Sequence, residues 1–508
     1  MQKNASFGSM ISAYVSTLTM PTLDRKIQAL SVSILIFAIG VFYLLTLRDG
    51  HNWGGDFSMY IHHAKNISEG RPYGETGYIY NPSFPFLGPK TYPPVFPLML
   101  VPVYLAAGFD LQAMKLIPIF SFLVALFIIY LNFREKLSPH AVFSIIGVFG
   151  FNYFFWDFKD NILSDLPFLL FVYIFFYFAE IAYAKEKSFR DAIKWCLATG
   201  FILYVSYGTR SIGIILLPTI LLYDLLHNKR VSPRGVLIAL CFFILLLVQN
   251  FLLLSDRSYF DQLFLNLQMI LRNIRIYQWS AITFFSNGHS HLISEWLFIV
   301  FSIFTLGGFL FHIKKISIYE IFFLVYAAII FIWPDNQGMR LLIPIIPLYL
   351  YYFFYFFEVV KKKYSNKVII KNSLAFFICI LMSAVAISYC MLYLKQGLPA
   401  IRQGIHSYYS LNMFDAVRRE SNENDVIIFI KPRVLSLMTS RKSSSYQNVK
   451  SDEDLFKYFQ KIGATYLIEP INKYPYLQDP YLDSFIARNK NRFKQIYSNR
   501  DFIYYRIM

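Results

Sequence analysis

The chain alternates long apolar runs with short polar breaks, and the first run sets the reading of the rest. Residues from about Ile27 to Leu47 are apolar and follow Arg25 and Lys26. Such a run is long enough to cross a bilayer. Basic residues favour the cytoplasmic side, so the N-terminus is expected inside and the segment after Leu47 outside. No small-residue cleavage site follows, so a retained span is expected rather than a signal peptide. Residues 48–92 form a long polar loop, in which Phe57 to Ser68 has near-helical spacing and predicts a short helix along the membrane surface. The apolar stretch from Tyr92 to about Ala107 carries Pro93, Pro94, Pro97 and Pro102. These prolines argue against a regular spanning helix and for a re-entrant or interfacial segment.

Loop charge tests that choice. If 92–107 does not cross, further spans lie at about 111–131, 141–155, 167–183, two within 192–226, 236–254, three more up to Lys361, and about 374–394. The basic breaks at Arg134 and Lys136, Lys185 to Arg190, Lys229 to Arg234, Lys314 and Lys315, and Lys361 to Lys363 then share the inner side. The outer side receives the Asp56 loop, Asp157 to Asp165, Gly208-Thr209-Arg210, the loop 255–291 and Trp333 to Gly338. About eleven spans result, with the C-terminus outside.

From about Lys395 the pattern becomes that of an ordinary folded domain. Asp425 to Ile430 reads as a buried strand, and Ser451 to Ile462 as a helix capped by Ser451 and stopped by Gly463. Ala464 to Ile468 reads as a strand, and 493–497 with 502–507 as a terminal hairpin. The expected fold is therefore an α-helical polytopic membrane protein with a long first external loop and a small C-terminal α/β domain. The expected domains are 1–394 and 395–508.

Composition agrees with a membrane class: 56% hydrophobic, 16% charged and a mean hydropathy of +0.44, against roughly 25% charge in soluble domains. The net charge of +17 would suggest nucleic acid in a soluble protein. Here the cations sit in short loops between apolar runs, so loop bias explains them and no nucleic-acid partner is expected. Aromatic residues make up 19% of the chain, which suits interfacial belts and also sugar-stacking surfaces. Cys196, Cys241, Cys379 and Cys390 lie in apolar runs without metal-ligand spacing, so inert thiols are expected.

Ionisable groups near membrane depth are expensive and mark candidate chemistry. Asp56, Asp165, Arg210 and Arg340 all fall on the outer side. Either carboxylate could simply cap the helix that follows it. Both together suit general-base activation of a hydroxyl and orientation of a partner. Each arginine could snorkel to headgroups, or make the bidentate phosphate contact for which its side chain is suited. His62 and His63 read as hydrogen-bonded interface residues. His289, His291 and Glu295 are a weakly spaced metal candidate. Arg257, Arg272 and Arg275 with Tyr259, Tyr277 and Trp279 suggest an interfacial amphipathic helix.

The motifs Asp56-x-x-x-Tyr60-x-x-x-Ala64, Gly70-Arg71-Pro72-Tyr73, Tyr92-Pro93-Pro94, Ser164-Asp165-Leu166-Pro167 and Arg340-Leu341-Leu342-Ile343-Pro344-x-x-Pro347 occur in that order. Through them the chain resembles the C-type polytopic glycosyltransferases that use polyprenyl-phosphate sugars. The resemblance points to the bacterial protein mannosyltransferase-like and aminoarabinose lipid A transferase-like branch, and covers most of residues 27–360. It implies an inverting glycosyltransferase of the bacterial inner membrane, with N-terminus cytoplasmic and C-terminal domain periplasmic. The implied partners are a polyprenyl-phosphate-linked sugar and a lipid, glycan or protein acceptor. It makes Asp56 the catalytic residue, Asp165 a second acidic residue, and Arg210 and Arg340 the lipid-phosphate contacts, with Tyr60 and Tyr92 at the substrate. Where many relatives have Asp-Glu, this chain has Asp56-Phe57; where the aminoarabinose branch has Glu-Lys before Pro-Pro, it has Thr91-Tyr92. These departures count against a divalent metal ion and a lysine clamp on phosphate, leaving the metal open, and Lys90 is a partial substitute for the missing lysine. The competing readings are an O-antigen polymerase or lipid-linked sugar flippase without Asp56 chemistry, and a sensor whose C-terminal domain binds a ligand.

Overall fold

The computed structural model describes residues 22–184, 188–253, 266–334, 336–446, 451–471, 477 and 480–508. Each run expected to span is helical. Among the described residues, seven helices are long and apolar enough to cross a membrane: Arg25–Leu45, Leu111–Phe133, Asp165–Ala182, Ser211–Asn228, Pro233–Leu253, His291–His312 and Val368–Gln396. Pro139–Gly150 and Ile318–Ile332 are shorter apolar helices, and Phe189–Thr209 and Ile346–Lys363 complete the bundle.

The proline-rich stretch is helical but short. Val95–Ala107 is an α-helix of 13 residues with Pro102 inside it. Pro97 sits in the first turn, where no intrahelical amide bond is lost, so only Pro102 removes one. At 1.5 Å per residue the helix is about 20 Å long, short of the roughly 30 Å of a hydrocarbon core.

Small residues let helices approach closely, as is common between membrane helices. A Cβ on Gly308 would lie 1.9 Å from the Tyr352 carbonyl oxygen, so His291–His312 meets Ile346–Lys363 backbone to backbone. Gly200 does the same between Phe189–Thr209 and Pro233–Leu253, where a Cβ would lie 2.7 Å from the Ile238 oxygen.

The C-terminal sheet has five strands in the order β2-β1-β3-β5-β4: β1 Val426–Ile428, β2 Lys442–Ser444, β3 Ala464–Pro470, β4 Phe493–Ser498 and β5 Phe502–Ile507. β1 pairs parallel with β2 and β3, and β5 pairs antiparallel with β3 and β4. The expected helix is Asp452–Ile462, with the Ser451 side chain accepting from the Asp454 amide and Gly463 closing it at φ +67°.

The first loop is clasped between bundle and sheet. Tyr78 bridges to Ser443 on the edge strand β2, and the Asn81 amide donates to the Ser445 carbonyl at 2.9 Å. Trp53 is buried among Phe414, Phe429 and Phe502, with ring centroids 5.8–5.9 Å apart. On the bundle side Asp160, 1% exposed, takes Arg48 at 2.6 Å and Lys159 at 2.7 Å.

Candidate active site

Asp56 and Asp165 each begin a helix, Asp56–Ser68 and Asp165–Ala182, and neither side chain caps it. Their carboxylates turn instead to arginines from distant elements. Arg340 spans both: Nε and Nη2 donate to the two Asp165 oxygens at 3.3 and 3.0 Å, and Nη1 donates to Asp56 Oδ2 at 3.2 Å. Arg210, at the C-terminus of Phe189–Thr209, pairs with Asp165 Oδ1 and donates to Gln337 Oε1 at 3.0 Å. The four residues singled out in the sequence thus form one network. Gly338, at φ +56°, makes the turn that starts the four-residue helix Met339–Leu342 and aims Arg340 inward.

Two further residues join at one oxygen of Asp56. The Tyr92 hydroxyl donates to Asp56 Oδ1 at 2.9 Å. Arg433, from helix Pro432–Thr439 beyond β1, donates to the same oxygen at 3.4 Å and to the Tyr92 hydroxyl. Arg433 comes so close to the loop that a Cβ on Gly55 would lie 3.0 Å from its Nη2. Sequence reading missed it, because Lys431-Pro432-Arg433 looks like ordinary surface charge after a strand. It is only 6% exposed.

The electrostatics follow from this crowding. Burial by itself would raise the Asp56 carboxyl. The charges of Arg340 and Arg433 and the Tyr92 hydrogen bond outweigh it and hold Asp56 well below the usual carboxylate range. Lys431 is lowered to about 8, first by burial and then by Arg433, with Asp56 opposing. Burial and the Asp56 charge push the Tyr60 phenol up to about 12, so it stays neutral; its hydroxyl is 2.8 Å from Ser164 Oγ. Burial lowers His63 to about 3. Neutral His63 donates from Nδ1 to the Tyr73 carbonyl at 2.8 Å and accepts the Tyr92 amide at Nε2 at 3.2 Å. It therefore fixes the residue that holds Asp56. His51, also lowered to about 3 by burial, accepts the Ile162 amide and ties the two acidic loops together.

A cavity of about 180 Å³ opens onto this network, lined by Asp56, Tyr60, Tyr92, Arg210, Gln337 and Arg340 among others. Lys90 is exposed and does not line it, which corrects its expected role; Arg433 stands beside Asp56 instead. The histidine candidate is corrected as well. His291 faces Glu295 one turn on at 3.0 Å, both partly exposed, and His289 adds no third ligand. Among the described residues no group of three or more His, Cys, Asp or Glu could hold a metal ion. Arg340 occupies the position between Asp56 and Asp165 that a shared divalent ion would need, so these residues do not fit one as they stand. Of the interfacial aromatic-basic group, Arg272, Arg275, Tyr277 and Trp279 lie on helix Leu267–Thr283, while Arg257 and Tyr259 fall outside the described residues.

No family model matches the chain, and no curated protein matches it. Solved structures do. The chain is similar to ArnT from Cupriavidus metallidurans bound to undecaprenyl phosphate, at 12% identity and a TM-score of 0.57, over 93% of this chain and 97% of that one. It is also similar to the oligosaccharyltransferase AglB from Archaeoglobus fulgidus in complex with an inhibitory peptide and a dolichol-phosphate. There the identity is 14% and the TM-score 0.60, over 88% of this chain and 70% of that one. An oligosaccharyltransferase from Archaeoglobus fulgidus in complex with Zn and sulfate matches at 14% identity and a TM-score of 0.58, over 87% of this chain and 68% of that one. The chain therefore shares the fold of these solved structures.

Proposed function

We propose that the protein is an inverting glycosyltransferase that moves a sugar from a polyprenyl-phosphate carrier to a lipid, glycan or protein acceptor at the outer face of a bacterial inner membrane. The observation that carries the reading is the Arg340 guanidinium shared between Asp56 and Asp165 in a cavity that also holds Arg210. Its setting is a fold whose solved neighbours are described with undecaprenyl phosphate and dolichol-phosphate.

Two carboxylates and three guanidinium groups leave the cluster with a net positive charge, which suits a phosphate. A donor phosphate drawn to Arg210 and Arg340 competes with the carboxylates for those guanidiniums. That competition raises the proton affinity of Asp56. The acceptor oxygen then forms its bond to the anomeric carbon from the face opposite the phosphate, and its proton passes to Asp56. The bond from the anomeric carbon to the phosphate oxygen breaks, and polyprenyl phosphate leaves with its charge held by the arginines. Asp165 keeps Arg340 and Arg210 in place. Tyr92, fixed by His63, keeps the Asp56 carboxylate oriented until the acceptor arrives.

The test uses the purified full-length protein in detergent, a mixed pool of polyprenyl-phosphate sugars and a native membrane extract as acceptor. Free polyprenyl phosphate is followed for wild type and Asp56→Asn. Release by wild type that Asp56→Asn loses while still binding donor supports the reading. Equal release by both removes Asp56 from the chemistry. No release, with movement of donor across vesicles, selects the flippase reading.

A further inference from the structure

A second, larger cavity lies at the other end of the bundle. Helix Asp165–Ala182 starts at the candidate site and carries Glu180 near its far end, about 22 Å away by helix rise. There the break after Leu111–Phe133 meets the end of His291–His312, the last turn of Ile346–Lys363 and the start of the first span, around a cavity of about 600 Å³. Its lining includes Arg25, Arg134, Lys136, Lys361 and Lys362, against the carboxylates of Glu135 and Glu358. Arg25 and Arg134 both lean on Glu135, at 3.1 and 3.5 Å, and Lys136 is held by Glu180 at 2.8 Å. The balance remains positive.

What selects the ligand is the neighbouring groove. Gln28 lines both the basic cavity and an adjoining groove of about 460 Å³, formed by Ile27, Ser31, Val32, Pro139, His140 and Phe143. The groove runs between the first span and helix Pro139–Gly150, beside the exposed side chains of Ile27 and Leu30. Gln28 is 7% exposed, yet its side-chain nitrogen has no hydrogen-bond partner among the described residues. A buried donor without a partner is costly, and this one sits where the two spaces join.

We propose that this end of the bundle is a binding site for a glycerophospholipid with an anionic, phosphate-bearing headgroup. The headgroup phosphate occupies the basic cavity, Gln28 donates to the ester region, and one acyl chain lies in the groove. Charge alone would admit a free phosphate. The apolar groove, continuous with the cavity through Gln28, favours the lipid. The site is separate from the Asp56 chemistry and does not depend on it.

The experiment takes full-length protein, stripped of lipid in detergent, and adds mixed micelles containing phosphatidylglycerol or phosphatidylcholine. Lipid retained per chain is read by native mass spectrometry. Wild type is expected to retain phosphatidylglycerol about tenfold more tightly than phosphatidylcholine, the scale of one charge-assisted contact. The pair Arg134→Gln with Lys361→Gln, and separately Ser31→Trp, which fills the groove, are expected to lose that retention. Asp56→Asn is expected to keep it. Equal retention of both lipids, or unchanged retention by the variants, overturns the site. So does loss in Asp56→Asn, which would put the lipid at the other end. Competition by inorganic phosphate with no effect of Ser31→Trp would make it a soluble-anion site and also overturn the proposal. Should a variant fail to fold, the wild-type headgroup comparison with phosphate competition still decides.

Discussion

Asp56 accepts hydrogen bonds from Tyr92, Arg340 and Arg433 at once, so its reactivity depends on which donors stay. Of the two arginines among them, Arg433 is the one without a phosphate-facing duty. Arg433→Leu removes a charge that depresses the Asp56 carboxyl, so the acid limb of the kcat/KM profile is expected to move to higher pH. Arg340→Leu removes a donor to the leaving phosphate as well, and is expected to lower kcat by about 10²- to 10³-fold. Lys431 supplies a different pH dependence. It is lowered to about 8, so it loses its positive charge as pH rises through about 8, and affinity for a donor anion should fall across that window. Titrating donor binding against pH in wild type and Lys431→Met checks this; the variant's curve should be flatter there. Asp165, Arg210 and Arg340 stood out in the sequence as charges beside long apolar runs, and Asp56 as the carboxylate opening a short helix in the first polar loop. Arg433 and Lys431 stand in a polar region where such charges are common, and nothing local separates them from surface residues.

Among the elements, those with local signals were legible and those defined by partners were not. Ser451 and Gly463 bracket Asp452–Ile462 by cap chemistry that needs no tertiary contact. Ser451→Ala is expected to cost about 1 kcal/mol, read as a lower melting temperature of the C-terminal unit. In Val95–Ala107 the prolines do not prevent a helix, because one in the first turn breaks nothing, yet the helix remains too short to span. β2, Lys442–Ser444, has three polar residues and becomes a strand only because β1 and the Tyr78 segment flank it. Helix packing was equally hidden. Gly308 looks like any small residue in an apolar run, yet it faces the Tyr352 carbonyl. Gly308→Val is expected to destabilise by about 1–3 kcal/mol through overpacking, measured by thermal unfolding in detergent. Gly307→Val is a milder control, since the nearest atoms to its Cβ belong to the Phe356 ring.

At the scale of the whole molecule the sheet and the bundle act on one loop. Residues 48–92 are held below by Asp160 with Arg48 and Lys159 and above by Trp53 and the Tyr78 bridge to β2. The contact from Arg433 to Asp56 spans 377 positions of sequence, a distance over which periodicity and motif spacing carry no information. The sequence could place a domain after the last span, but not show that it reaches the carboxylate. This arrangement makes coupling between sheet and site measurable. Trp53→Ala deletes the ring that plugs the sheet core, a change expected to cost about 3–5 kcal/mol. Because Trp53 lies three residues before Asp56, that loss should free the loop as well as loosen the sheet. Limited proteolysis should then cut near residues 48–56 while the spanning helices remain protected, and transfer should fall with it. If transfer falls but the loop stays protected, the sheet acts on the site through Arg433 alone. The two routes then separate by combining Trp53→Ala with Arg433→Leu: additive losses mean independent routes, and a double variant no worse than either single one means a single path from sheet to carboxylate.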